Sequence, residues 1–352
     1  MMRSSRVLLS LTAVALLATG CGSSEVPAQQ TEVLVNIGAG LTGPVGLRAA
    51  VYAKGLQSVS ALAFDSSNRL WITTADFEDE GRDALYVATE AGATPTKVVG
   101  SLHTPMGLLW YQDSLYVASA SGVDVYSGFD GTHFASHERI VELPVNVGKP
   151  GNIVLAPDGR MLMGISAPCD SCVPASEYSA AIVSFKPDGS DIAVFAGGIR
   201  APVGLIYYPQ SSDLFVTMNQ RDDLDPQTPG DWLAVVHEGE AWGFPDCYGQ
   251  GGTACTDVPQ PIAALDAHAA VSGVAIVAGQ LGSMIGTSAI VAEWAEGKVQ
   301  RVALAVNGNG YAGTVRPFLA GLQNPVPVIL SSRGAILVGD WSTGTVYSIA
   351  KA

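Results

Sequence analysis

The chain repeats itself six times, and that periodicity leaves few folds open. Short apolar strands open at Val59-Ser60-Ala61, Pro105-Met106-Gly107, Pro150-Gly151-Asn152, Pro202-Val203-Gly204, Val271-Ser272-Gly273 and Pro325-Val326-Pro327. Second apolar runs follow, as in Leu70-Trp71-Ile72-Thr73, Leu115-Tyr116-Val117-Ala118, Met161-Leu162-Met163-Gly164 and Leu214-Phe215-Val216-Thr217. Runs of this length, rich in Val, Ile, Leu and aromatics, are strands buried on both faces. Four such strands per repeat at this period make a propeller blade. The first and last repeats agree beyond their openings, since GLQSVSALAF from Gly55 is echoed by GLQNPVPVIL from Gly321. The expected fold is all-β, a six-bladed β-propeller. No amphipathic segment of helical length competes, and VAEWAEGKVQR from Val291 reads as two strands joined around Glu296-Gly297. The segment near residues 32–37 is expected to complete the last blade, so that no edge stays open. The fourth repeat carries a long insertion over residues 219–270, and long ordered loops in compact domains tend to carry function.

The first twenty residues read as an export signal: Arg3 and Arg6, an apolar run over residues 7–17, then Ala18-Thr19-Gly20 before Cys21. The run is too short and wrongly flanked to span a membrane. Its Gly-Cys ending looks like a bacterial lipoprotein signal, with Cys21 lipidated as the mature N-terminus. Ala18 departs from the Leu usual at that place, and an ordinary cleaved signal with a chance cysteine is the alternative. Gly22 rather than Asp after the cysteine favours the outer membrane, the lipid being the one expected membrane contact. The organisation is then a signal over residues 1–20, a small and polar flexible tether over 21–30, and one indivisible propeller over 31–352.

The net charge is −14, and removing a signal that holds two Arg and no acid leaves −16. No basic run or patch is visible, which excludes a nucleic-acid partner on electrostatic grounds. With 48% hydrophobic and 14% charged residues the chain has ample apolar sequence for a large core. Setting Cys21 aside leaves Cys169, Cys172, Cys247 and Cys255. Two local disulfides are the simplest reading in an oxidising compartment. The Cys-Asp-Ser-Cys pair has a redox motif as its alternative, although no βαβ pattern surrounds it and no His follows it. Ser-nucleophile, phosphate-loop and zinc-spaced His motifs are lacking.

Between Gly151 and Gly249 the chain reads GNIVLAPDGRMLMGISAPCDSC, AGGIRAPVGLIYYP, MNQRDDLDPQTPGDW and EGEAWGFPDCYG, in that order. This resembles the sorbosone/glucose dehydrogenase family, six-bladed propellers that oxidise sugars with pyrroloquinoline quinone (PQQ). The resemblance covers roughly residues 100–350. It implies that Arg200, in the place of the family's Gly-Leu-Arg-Asn-Pro arginine, lines the substrate and quinone pocket as a catalytic and cofactor-binding residue. Ala201 stands where that segment has Asn. Asn219, Arg221 and Asp222 match an Asn-x-Arg-Asp run leading into the cofactor loop, with Asn219 and Arg221 toward the cofactor and Asp222 toward the chemistry. Pro229 and Asp231 match a Pro-x-Asp turn near the family's calcium. Asp222, Asp223, Asp225 and Asp231 offer oxygen ligands for such a cation, and a solvated acidic turn is the alternative.

Other positions depart from the family. Its general base is a His, where this chain has Val147 and Gly148, and neither abstracts a proton near neutrality. Its quinone-pairing Lys aligns with Ala295, and its late Arg pair with Asn324 and Val326. PQQ carries three carboxylates, so a pocket without cations binds it poorly. Lys149 and Lys298 stand close to two of these losses. Of the histidines, His103 precedes an innermost strand and His268 lies in a segment similar to a family His-Ser-Ala. His133, His137 and His237 read as surface or structural. Three functions follow as expectations: an exported propeller oxidising a sugar or aldehyde with PQQ beside calcium, a non-catalytic propeller binding a ligand or a protein, and a metal-dependent lactonase using Asn152, Asn219 and Asp222.

Overall fold

In the computed structural model the described residues are 33–352, apart from 79, 249–254, 256 and 309. The expected signal, the tether and Cys21 lie outside them. Every regular element among the described residues is a strand.

Six antiparallel sheets are arranged around one axis. Their innermost strands are Val59–Phe64, Gly107–Tyr111, Pro150–Leu155, Pro202–Tyr207, Val271–Ala278 and Pro325–Leu330, which define blades I to VI in that order. Each innermost strand touches the one before and the one after it, and the sixth touches the first. The six expected openings thus become six blades. The Val291 segment becomes two strands, Thr287–Glu293 and Lys298–Asn307, with Glu296-Gly297 between them.

Adjacent blades share their apolar faces, so the core is a set of separate wedges around the ring. Trp71 of blade I is fully buried and packs on Trp110, Phe129 and Phe134 of blade II, at ring-centroid distances of 6.3, 4.8 and 5.2 Å. Trp232 and Trp242 stack at 4.7 Å in the wedge between blades III and IV. Where neighbouring innermost strands come closest, glycine stands because a side chain would not fit. A Cβ on Gly151 would lie 2.6 Å from the Pro202 and Val203 carbonyls, and one on Gly204 would lie 2.3 Å from the Ser272 carbonyl. Hydroxyls then join the blades: Ser60 Oγ donates to Pro105 O at 2.6 Å, Thr217 Oγ1 to Ser272 O at 2.6 Å, and Ser272 Oγ to Val326 O at 3.1 Å.

Buried carboxylates provide a second kind of join. Asp83 accepts from the Asp76 and Thr104 amides at 2.9 and 3.0 Å, tying the end of blade I to the start of blade II. Asp231 repeats the pattern, accepting from Gln220 N at 2.8 Å and from Val271 N, where blade V opens, at 3.1 Å. Only 3% of Asp231 is exposed, and burial pushes its carboxyl up to about 6 although both amides favour the charged form.

Two expectations need correction. The ring is closed by Leu47–Ala53, which pairs with Thr345–Lys351 as the fourth strand of blade VI. The segment at 32–37 does not do this. Val35–Gly38 instead forms a hairpin with Leu41–Gly43 that extends the outer edge of blade V through Thr42 and Ala320. The turn at Gly38-Ala39-Gly40, all three at positive φ, folds Val35–Gly38 back onto Leu41–Gly43 and so commits it to that hairpin. The insertion at 219–270 is also not one loop, because Trp232–Val236 and Ala263–Ala264 supply the outer strands of blade IV.

Gly204→Ala is expected to cost about 3 kcal/mol, because the new methyl meets backbone on the next blade and the ring cannot widen locally. Denaturant unfolding followed by circular dichroism checks this. For Asp231 the folded state binds the proton more tightly than the unfolded one. Its contribution is therefore fully present below about pH 4 and is lost as the pH rises through about 6. The stability gap between the wild type and Asp231→Asn should shrink by about 2–3 kcal/mol between pH 4 and pH 7, measured by urea unfolding at each pH.

Candidate functional site

Where the innermost strands begin, the blades leave a cavity of about 1180 Å³ on the axis. Met106, Val203, Ser272 and Val326 line it near the strand starts, with His103 and Lys149 from the connections that lead into blades II and III. Met106, Val203 and Val326 also border a cavity of only about 30 Å³ deeper along the axis, and so form the floor. One wall is aromatic: Phe77 and Trp294 line the cavity, and both pack on Trp341, at 6.1 and 6.0 Å.

Of the residues expected at the site, Arg200 and Asn219 line this cavity. Arg200 is committed elsewhere. Its Nη2 donates to the Asp170 carboxylate, its Nε to the Asp170 carbonyl at 3.2 Å, and its Nη1 to the Asn219 carbonyl at 3.2 Å. The side chains are 16% and 40% exposed, and pairs of this kind are worth about 0.2–1 kcal/mol. Fixing the backbone of one residue costs about 1–2 kcal/mol. The pair therefore depends on a loop that is already ordered, and the Cys169–Cys172 disulfide supplies that order. The Cys247–Cys255 bridge also forms, so both expected pairings are present.

The other expected residues lie beside the cavity. Arg221 holds Asp223 through two bonds, of 2.6 and 2.7 Å, with its guanidinium 4.8 Å from the Tyr248 ring centroid. Asp222 bonds His268 Nδ1 at 2.8 Å, and Asp225 takes the opposite nitrogen at 2.7 Å. Those two bonds, the Asp225 one first, raise the pKa of His268. Pro229 is half-buried in the same loop, and Asp231 is the clasp between blades IV and V. Every carboxylate of the acidic loop thus has a protein partner. Among the described residues no group of three His, Cys, Asp or Glu side chains is placed to hold a metal. Asn152 faces the small lower cavity and donates to Leu205 O at 3.3 Å. The ring of Asn152, Asn219 and Asp222 imagined for a lactonase is therefore not assembled.

The position of the missing base is closed to repair. Gly148 has φ +112°, and a Cβ there would sit 1.7 Å from Ser166 O, while Val147 is 1% exposed within the core shared by blades II and III. Nor do the neighbouring lysines compensate. Lys298 is held by Asp266, by Glu293 at 3.3 Å and by Glu296 at 3.7 Å. Lys149 Nζ sits at the rim, donating to Phe77 O at 3.0 Å. Asn324 donates to Trp294 O at 2.9 Å, and Val326 is in the floor. A tricarboxylate such as PQQ would meet an arginine already paired and a lysine at the rim. The residues present do not fit it, nor do the loop side chains form a calcium cage.

Two features were not anticipated. Asp170, between the cysteines, determines the state of Arg200, although nothing in Cys-Asp-Ser-Cys indicates a partner thirty residues away. Trp294 and Asn219 each carry a buried polar atom, Nε1 and Oδ1, with no hydrogen-bond partner.

No protein-family model matches the chain, and no curated protein matches it. Solved structures do. The PQQ-bound aldose sugar dehydrogenase of Streptomyces coelicolor is 18% identical, with 88% of this chain and 99% of that one aligned at a TM-score of 0.69. The PQQ domain of pyranose dehydrogenase from Coprinopsis cinerea is 15% identical over 88% and 97%, with a TM-score of 0.71. The apo soluble aldose sugar dehydrogenase of Escherichia coli is 14% identical over 87% and 100%, at 0.69. Likeness at such identities speaks for architecture, and by that measure the chain has the six-bladed propeller fold of the aldose sugar and pyranose dehydrogenases.

Proposed function

We propose that this protein is an exported propeller that binds a neutral sugar or aldehyde in its axial cavity and has given up quinone chemistry. The observation that carries the reading is the aromatic wall of the axial cavity, where Phe77 and Trp294 both pack on Trp341. The aromatic wall of Phe77 and Trp294 suits the apolar face of a sugar ring, and the Arg200–Asp170 pair keeps the cavity near neutral. Export and lipidation at Cys21 belong to the same proposal, supported by the signal-like N-terminus and by two disulfides, which suit an oxidising compartment.

A second reading is favoured by the comparisons. Structures sharing this fold include aldose sugar dehydrogenase and a pyranose dehydrogenase domain, and PQQ- or calcium-bound forms are among them. On that reading the chain oxidises a sugar or aldehyde with PQQ beside calcium.

Titration calorimetry of the purified propeller with PQQ and calcium separates the two. We expect no saturable heat, and one-to-one binding would establish the second reading. Aldoses added to the same protein should change tryptophan emission saturably, with the apparent Kd raised about tenfold in Trp294→Ala. An emission indifferent to every neutral aldose and aldehyde tried would remove the first reading.

A further inference from the structure

We propose that Asp170, held against Arg200 by the Cys169–Cys172 ring, sets the charge preference of the axial cavity, and that reducing this disulfide turns a site for neutral ligands into one for anions. The inference rests on the cavity being a ligand site and specifies what that site accepts.

The ring encloses two residues, and both point their polar groups outward. Asp170 gives its carboxylate and its carbonyl to the same guanidinium, that of Arg200. Ser171 donates to Asp223 Oδ2 at 3.1 Å, and Asp223 is itself held by Arg221. Backbone bonds complete the attachment: Ala167 N donates to Arg200 O at 2.6 Å, and Cys172 N to Cys169 Sγ at 3.0 Å. Three of the five N–H donors of Arg200 are thus taken, two by Asp170 and one by the Asn219 carbonyl. Without Asp170, the Nε and Nη2 edge becomes a fork suited to a carboxylate.

Access also distinguishes the two disulfides. Cys172 is exposed and Cys169 half-buried, whereas Cys247 is half-buried and Cys255 is 3% exposed. A dithiol in the surroundings therefore meets the Cys169–Cys172 bridge first. Its thiolate attacks Cys172 Sγ and the S–S bond breaks. Cys169 leaves as a thiolate and takes up a proton, and the second reagent thiol then displaces Cys172, which is protonated in turn. The protein gains two electrons and two protons, and the dithiol becomes a disulfide. With the ring open, the loop regains the backbone freedom that a partly exposed ion pair cannot hold back.

The test compares the wild type, the wild type treated with dithiothreitol, Asp170→Asn, Asp170→Glu, and a Cys169→Ser/Cys172→Ser variant that leaves Cys247–Cys255 intact. Two readouts are taken: the rate at which phenylglyoxal modifies Arg200, followed by peptide mass, and the affinities for gluconate and for glucose. We expect Arg200 to react about tenfold faster, and the gluconate-to-glucose affinity ratio to rise about tenfold, in the reduced, Asp170→Asn and double-serine proteins. Asp170→Glu should keep the wild-type values, which a merely structural role for the loop would not explain. Unchanged Arg200 reactivity and an unchanged ratio in Asp170→Asn would overturn the proposal, as would a released arginine that brings no anion binding. Gain of gluconate binding with glucose silent in every form would instead sustain it, while removing the neutral-sugar reading on which it was built.

Discussion

The close approach of the six innermost strands governs this structure. At Gly151 and Gly204 the backbone of one blade lies where the next blade's side chain would be, so the blades meet by main chain at the axis and by wedges of apolar side chains farther out. Non-directional burial fills the wedges, while the directional bonds of Ser60, Thr217 and Ser272 set the angle between blades. The axial cavity follows from this geometry. It opens where the strands begin to diverge and is floored where Met106, Val203 and Val326 converge.

Much of the fold was legible in the sequence because its signal is local and repeated. The six openings, the second strands and the turn at Glu296-Gly297 are each set by a few neighbouring residues. Ring closure was not legible, since residues 35–38 and 47–53 are both short and apolar enough to be strands. Pairing with the last strand joins segments about three hundred residues apart, a contact that no local pattern shows. The site was legible only in part. The segments around Arg200 and Asn219 led to residues that do line the cavity, and the absence of a base at Val147 and Gly148 was visible as residue type. The commitment of Arg200 to Asp170, of Arg221 to Asp223, and of Asp222 to His268 was hidden, because each is a matter of side-chain direction.

Those commitments share a logic. The acidic insertion places Asp222, Asp223, Asp225 and Asp231 near one another, yet each is paired with a specific protein group: His268, Arg221, His268 again, and two backbone amides. Internal pairing of this kind helps to hold the loop in one shape. The cavity beside it follows the same rule, with its half-buried arginine matched inside the protein. What such a site offers a visitor is shape and an aromatic wall, both of which suit uncharged molecules.

The closing strand has a consequence for biogenesis. Leu47–Ala53 is among the first parts of the propeller to be synthesised, and its partner Thr345–Lys351 among the last. Until both exist, blade VI lacks its outer strand and the ring its lock, leaving open sheet edges of the kind that recruit other chains. Contacts so distant in sequence form late, after the entropy of a very long loop has been overcome. The protein therefore passes through its whole synthesis as an incomplete ring, and a chaperone that shields strand edges would serve it better than one that shields only apolar surface.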